Sequence, residues 1–420
     1  MLKLGSHEAT AELSGERAKL GLIPPVPLEV WRDRLTRCRS AMAEDDLDVL
    51  LIYSAGTASG GYEWARYFAN YLDATPLWSS EVFIAIPREG EVTLWTTWPL
   101  MVERAKAFSP VGDIRLIEVW AQTGRDRHGS VGPTLKRYLE DNGLSRSRIG
   151  FGHGGRGGGW MASTPEAVVR AVREAAADGE LVDASQLMWR LVRIKTEYDI
   201  EQLTRASEVN CQALAAALAN VHAGTSEAEI LADKIRYAAD LGAEFADFDH
   251  GGIAVTHPQG LRPLFVTNYR FKPGDMFMVD SWCRIGGFES DIGRVVVIGE
   301  PTARQRRCYE VTMDVAHQME QALRPGVPVR ELWGIKERGT KAAGYQITIP
   351  LAGHAAGISR NEAPYFVPWE DAVIEENMTV AIDVGVFDPP EACFIFEETY
   401  VVRAGRNERI TPLKSDLFIA

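Results

Sequence analysis

The sequence predicts an α+β protein of two domains: an α/β domain followed by a domain made of two similar halves. Residues 27–190 alternate short apolar, β-branched runs with amphipathic stretches, as expected of a sheet covered by helices. After residue 193 the order helix, break, helix, strand occurs twice. Acids and one histidine then recur at mostly strand positions in both halves, Asp280 and Asp291 in the first and His354, Asp383 and Glu397 in the second. At 420 residues the chain is long enough for two cores.

Residues 1–26 are polar, end in Ile23-Pro24-Pro25, and are expected to form an arm. The first domain spans 27–190. It opens with a helix from Glu29 to Ala43, with Val30, Leu35 and Met42 among its apolar positions, and a buried strand from Leu47 to Tyr53. The runs 81–86 and 91–95 flank the turn Pro87–Gly90 as a hairpin. Ile114–Val119 and Ile149–Phe151 are further strands, with a helix over Val131–Asn142 between them. The glycine-rich run 152–159 lacks the Lys-Ser/Thr ending of a phosphate loop and is expected to be a surface loop.

The second domain spans 191–420. Thr196-Glu197-Tyr198-Asp199 has the form of a capping box opening a helix. Ile200, Leu203, Leu214, Ala217 and Val221 recur near helical spacing, so that helix buries one face. Gly224-Thr225 breaks it, and Ser226 with Glu229 caps a second helix to about Gly242. In the second half a helix at about 302–323 breaks at Pro325-Gly326-Val327-Pro328, and another runs to about Ala343.

The net charge of −13 argues against a nucleic-acid partner, since phosphate binding requires a basic patch. No run approaches ~18 apolar residues, so no membrane span is expected. The segment MLKLGSHEATAELSGERAKL has no apolar signal-peptide core. Cys38, Cys211, Cys283, Cys308 and Cys393 form no CxxC pair, which fits free thiols in a reducing cytoplasm.

Asp280 and Asp291 stand eleven residues apart in MVDSWCRIGGFESDIGRVVVIG, whose Gly286-Gly287 centre predicts a β-hairpin. Either aspartate alone also fits an ordinary hairpin-end acid. Two close carboxylates ionise together readily only with a cation between them. With His354, Asp383 and Glu397 they make four carboxylates and one imidazole, a donor set for one or two divalent transition metals such as Mn, Fe, Co or Zn.

The order and spacing of this set resemble the metallopeptidase family of aminopeptidase P, prolidase, methionine aminopeptidase and creatinase, which has the pita-bread fold. The resemblance runs through about residues 193–405. It includes KPGD at 272–275, SDIGR at 290–294, Glu362 and Pro364 after the histidine, NMTVAIDVG at 377–385 and FEETYVV at 396–402. It implies two pseudo-symmetric halves, a creatinase-type N-terminal domain before them, and a homodimer. It also implies that Asp280 binds one metal, Asp291 and Glu397 bridge both, and His354 and Asp383 bind the other. Glu398, of opposite strand parity, is expected to be a satisfied or solvated acid.

The chain departs from the family at several places. Asp383 stands where a glutamate is usual, and Ser281-Trp282 where small residues are usual. The position of one substrate histidine is Asn361, and that of the other falls on Pro263, with His257 and His250 upstream. Asn361 can hydrogen-bond a carbonyl but cannot carry a proton. Glu362 is then the spare acid for the base role, and His257 or His250 a replacement histidine. Arg262 and Arg360 suit an anionic substrate group or, equally, exposed salt bridges. Trp282, Trp64 and Tyr67 would line the pocket, although core packing explains the last two as well.

The implied activity is that of a metal-dependent hydrolase. It would use a metal-bound hydroxide to cleave a C–N bond in a small amide, an Xaa-Pro-like dipeptide or a related small molecule. A metal-dependent lyase acting on a small charged substrate such as dimethylsulfoniopropionate is the second reading. A catalytically silent binding protein on the same fold is the third.

Overall fold

The fold is taken from a computed structural model, which describes residues 26–55, 63–71, 81–118, 120–126, 128–153, 164–249, 267–388 and 392–420. The chain divides into two compact units, Met1–Val192 and Arg193–Ala420.

In the first unit the elements are α1 (Leu28–Glu44), β1 (Val49–Ala55), α2 (Glu63–Ala69), β2 (Glu81–Pro87), β3 (Thr93–Thr96), α3 (Pro99–Phe108), β4 (Asp113–Leu116), α4 (Trp120–Thr123), α5 (Val131–Asp141), β5 (Arg148–His153), α6 (Glu166–Ala175), β6 (Glu180–Asp183) and α7 (Ser185–Arg193). The strands form one mixed sheet in the order β4-β3-β2-β1-β5-β6. β2 and β3 pair antiparallel as the expected hairpin, while β5 and β6 continue the sheet in parallel from β1. Val49, Leu51, Phe83 and Ile149 on the sheet pack with Leu135 and Leu139 of α5 and Val168 and Val172 of α6. Each such side chain, fully buried, contributes roughly 1.5–3 kcal/mol.

Trp64 and Tyr67 belong to the packing of this unit. Trp64 meets Trp189 edge to face at 5.1 Å, and the Arg34 guanidinium lies 4.3 Å from the Tyr67 ring centroid. Both aromatics are buried. Core packing, the alternative given for both, accounts for these contacts.

In the second unit come α8 (Glu197–Leu218), α9 (Glu227–Asp240), β7 (Phe245–Asp249), β8 (Met276–Ile285), β9 (Phe288–Glu289) and β10 (Ile292–Val297). The second half holds α10 (Ala303–Ala322), α11 (Val329–Ala342), β11 (Gly353–Ala355), β12 (Glu362–Tyr365), β13 (Thr379–Asp388) and β14 (Ala392–Val401). The capping boxes at Thr196/Asp199 and Ser226/Glu229 both form, and Thr302 with Gln305 makes another at the start of α10. The main sheet runs β12-β11-β13-β14-β10-β8-β7.

Residue parity decides which side chains face the helices. Phe277 and Val279 of β8 pack with Leu214 and Leu218 of α8. Val380, Ile382 and Val384 of β13 pack with Val315 and Met319 of α10. Because side chains alternate along a strand, Asp280 and Asp383 fall on the side away from those helices. No helix among the described residues is long and apolar enough to cross a membrane.

Candidate metal centre

A single transverse row of the sheet builds the site. Asp280 on β8 pairs with Gly293 on β10, Gly293 pairs with Glu397 on β14, and Glu397 pairs with Asp383 on β13. A Cβ at Gly293 would stand 3.0 Å from Glu397 Cβ and 3.3 Å from its main-chain nitrogen. Glycine is what lets two acid-bearing strands flank that position. Gly286 and Gly287 close the hairpin between β8 and β9 with φ of 61° and 83°, angles an L side chain adopts only with strain. Asp291 sits in the gap between β9 and β10, two residues before Gly293 and of the same parity.

Asp291, His354 and Glu397 converge, each offering a ligand atom within 4.8 Å of the others. His354 Nε2 is 3.3 Å from Glu397 Oε1 and 3.7 Å from Asp291 Oδ2. Its Nδ1 lies 3.0 Å from the Ala355 carbonyl oxygen. A carbonyl only accepts, so this contact assigns the ring proton to Nδ1 and leaves the Nε2 lone pair facing two carboxylates. Burial pushes the His354 pKa down, which keeps the ring neutral and a competent ligand. Burial, then Glu397 and Asp280, push the Asp291 pKa well up. Asp291 Oδ1 and Asp383 Oδ1 are buried and take no hydrogen bond from the described residues. Lone pairs facing lone pairs in a dry site are repulsive, and a divalent cation among them removes the repulsion. The residues therefore fit a metal.

The other expected site residues divide. Asp383 stands on the row beside Glu397 but outside the convergent trio. Asp280 lies 3.6 Å from Arg360 Nη1, and the Arg360 guanidinium lies 5.3 Å from the Trp282 ring centroid. Arg360 is buried, so the exposed salt bridge considered for it is corrected. Its partner is a carboxylate of the site itself. Trp282 is buried beneath it. Glu362 is fully buried and 2.8 Å from Lys195 Nζ. It also accepts from the Ser359 main-chain nitrogen. These contacts tie the acid considered for the base role to the loop 356–361. Asn361, half-buried at the end of that loop, accepts the Tyr365 hydroxyl on its carbonyl. His257, His250 and Arg262 lie outside the described residues, as does most of the glycine-rich run.

Glu398 takes the opposite face, as its parity requires, paired with Arg294 and Thr411. Cys283 donates to the Ala206 carbonyl, and burial raises its pKa to about 11, so the thiol is inert. Sequence reasoning missed Lys234 and Lys336, two fully buried lysines that reach strand carbonyls from the helix side. The available signal was a lysine at the same place, the eighth residue, in each of two 14-residue helices.

Comparison with known proteins covers both units. The model of metallopeptidase family M24 matches residues 201–404, and that of the Creatinase/Prolidase N-terminal domain matches residues 34–193. An Xaa-Pro dipeptidase of Pyrococcus furiosus is 29% identical over 226 residues, covering 53% of this chain and 64% of that protein, just under two thirds of its length. One of Pyrococcus horikoshii is 25% identical over 264 residues, covering 62% of this chain and 74% of that protein. Among solved structures, an Xaa-Pro dipeptidase from Bacillus anthracis superposes with a TM-score of 0.74 at 22% identity, covering 93% of this chain and all of that one. An X-Pro aminopeptidase from Thermotoga maritima gives 0.76 at 19% identity, covering 92% and 99%. The structural matches establish the fold.

Proposed function

The chain belongs to metallopeptidase family M24, the pita-bread fold with a creatinase-type N-terminal domain, and on that premise we propose that it is a metal-dependent peptidase of short substrates. The reaction is hydrolysis of a C–N bond in a dipeptide of Xaa-Pro type or a related small amide. One observation carries this reading: the Nε2 lone pair of His354 faces the carboxylates of Asp291 and Glu397 in a buried site. Two of the relatives are Xaa-Pro dipeptidases, which supports hydrolysis over the lyase and the silent binder.

Asp291, His354 and Glu397 would hold the metal, with Asp383 and Asp280 beside them. When bound, a divalent ion polarises the scissile carbonyl and lowers the pKa of water. The chain's own residues do the rest. Asn361 offers an amide that donates to a carbonyl without transferring a proton. Trp282 gives the wall next to Asp280 an apolar body. Homodimerisation, implied by the resemblance, is tested by light scattering.

Elemental mass spectrometry of the purified chain beside Asp291→Ala tests the reading, together with an Xaa-Pro dipeptide assay. The expected result is transition metal in the wild type, lost with turnover in the variant. Full activity in Asp291→Ala would remove Asp291 from the site. Absence of metal in the wild type, even after loading with Mn²⁺ or Fe²⁺, would end the metalloenzyme reading.

A further inference from the structure

We propose that the Arg360 guanidinium serves as the counter-charge of Asp280, so that the site takes one divalent ion at Asp291, His354 and Glu397 rather than a pair. The inference rests on the metal-site reading above and concerns what this chain has done to that site.

Asp291, His354 and Glu397 converge on one point, and the Asp280 carboxylate borders them through Asp291. Asp280 also has an ion-pair contact with an arginine, Arg360 Nη1 at 3.6 Å. Arginine is charged at every working pH, so this partner cannot be removed by titration. Its position is also fixed. The Arg360 main-chain nitrogen donates to Glu289 Oε2 at 2.9 Å, and Glu289 is itself paired with Arg284 on β8. The guanidinium rests over Trp282, two residues from Asp280 on the same strand face. Behind the loop, Glu362 is tied to Lys195, and the Glu289 main-chain nitrogen donates to the Gly357 carbonyl. Backbone, ring and ion pair all hold Arg360 against Asp280.

A divalent ion bound by Asp280 would have to share that carboxylate with a guanidinium a few ångströms away, in a site where little water screens the repulsion. One divalent charge already matches Asp291 and Glu397, and an imidazole that ligates a metal adds no charge of its own. Arg360 matches Asp280. Trp282 and Arg360 thus act together: the indole supplies the surface on which a permanent cation is held where a second metal would be bound.

The experiment uses the full chain, saturated with Mn²⁺ and desalted, with metal counted by elemental mass spectrometry and affinity measured by calorimetry. Wild type should retain one equivalent. Arg360→Met, of similar length but uncharged, should retain two and show the spin-coupled Mn²⁺ resonance of a close pair. Asp280→Asn should keep the single ion within a few-fold of wild-type affinity, whereas Asp291→Asn should lose it by at least about 100-fold. Two equivalents in wild type would overturn the proposal, even if Arg360→Met fails to fold. One equivalent in both wild type and Arg360→Met would overturn the role given to Arg360, and loss of the ion in Asp280→Asn would place Asp280 among its ligands. Absence of metal from every form would instead strike the metalloenzyme reading beneath the proposal.

Discussion

The first half of the second unit reaches the site through α8, α9 and β8, and the second half through α10, α11 and β13. Behind the sheet the two halves match. Helices α9 and α11 are both 14 residues long, and each carries a fully buried lysine as its eighth residue. Lys234 Nζ donates to the Trp282 carbonyl at 2.6 Å, and Lys336 Nζ to the Asp383 carbonyl at 3.1 Å. On the other face of the sheet they diverge. Asp280 meets an arginine, whereas Asp383 lies across from Glu397 next to the convergent trio. Helix-on-sheet packing repeats because each half has the same apolar stripe to bury. The site face has no such demand, and its charges are free to differ between halves.

The most damaging substitutions should be those that split a buried ion pair, and each half has one beside the site. The first has Arg284–Glu289 in the hairpin, and the second has Lys195–Glu362 behind the loop that carries Arg360. Lys195→Met is expected to cost about 3–5 kcal/mol, since it strands a carboxylate in a dry site. Adding Glu362→Gln should recover most of that loss in urea unfolding. Equal instability of the single and double variants would mean that charge pairing does not hold the loop.

Next in size are the paired lysines. Lys336→Met and Lys234→Met each remove a donor from buried carbonyls and should cost about 1–3 kcal/mol. The comparison between them is sharper than either value. Lys336 supports the strand beside the metal trio, so its loss should weaken Mn²⁺ binding more than loss of Lys234. Equal weakening would show that the metal draws evenly on both halves.

Gly293→Ala should cost about 1–3 kcal/mol by pressing on Glu397, and it should lower metal affinity as well. Gly286→Ala, strained at φ 61°, should cost about 1 kcal/mol and leave metal affinity alone. A fall in affinity for both would mean the hairpin tip, and not the row through Gly293, sets the site.

Much of this plan was legible in the sequence, for reasons that differ by residue. Capping boxes at Thr196 and Ser226 are local, and local chemistry is read directly from order and spacing. The Gly286-Gly287 turn and the parity of Glu398 are likewise local. The pairing of Lys195 with Glu362 spans 167 residues, and no short-range pattern reports it. Glu362 therefore reads as a spare acid, because nothing near it in the chain reports Lys195. The burial of Arg360 was hidden for the same reason, since Asp280 lies on another strand. Trp64 and Tyr67 were ambiguous for a different reason: aromatic clustering is the same whether it lines a pocket or fills a core.

The smallest effect concerns pH and isolates the anchor of the second half. Burial, the dominant influence, holds the Glu362 pKa above a glutamate's ordinary 4.5, with Lys195 pulling against it. In the window just above 4.5 the folded chain keeps a proton that the unfolded chain has released. Stability must then fall as pH rises through that window, because the folded state binds more protons than the unfolded one. The contribution of Glu362 is fully present below 4.5 and is lost as pH passes the folded value. Each unit of the shift is worth about 1.4 kcal/mol at most. Gln cannot titrate, so Glu362→Gln should show a flatter dependence of melting temperature on pH above 4.5 than wild type, measured without metal. A steeper slope in the variant would mean that Lys195 outweighs burial and keeps Glu362 ionised, which would make the loop beneath Arg360 a charged platform at every pH where the fold is stable.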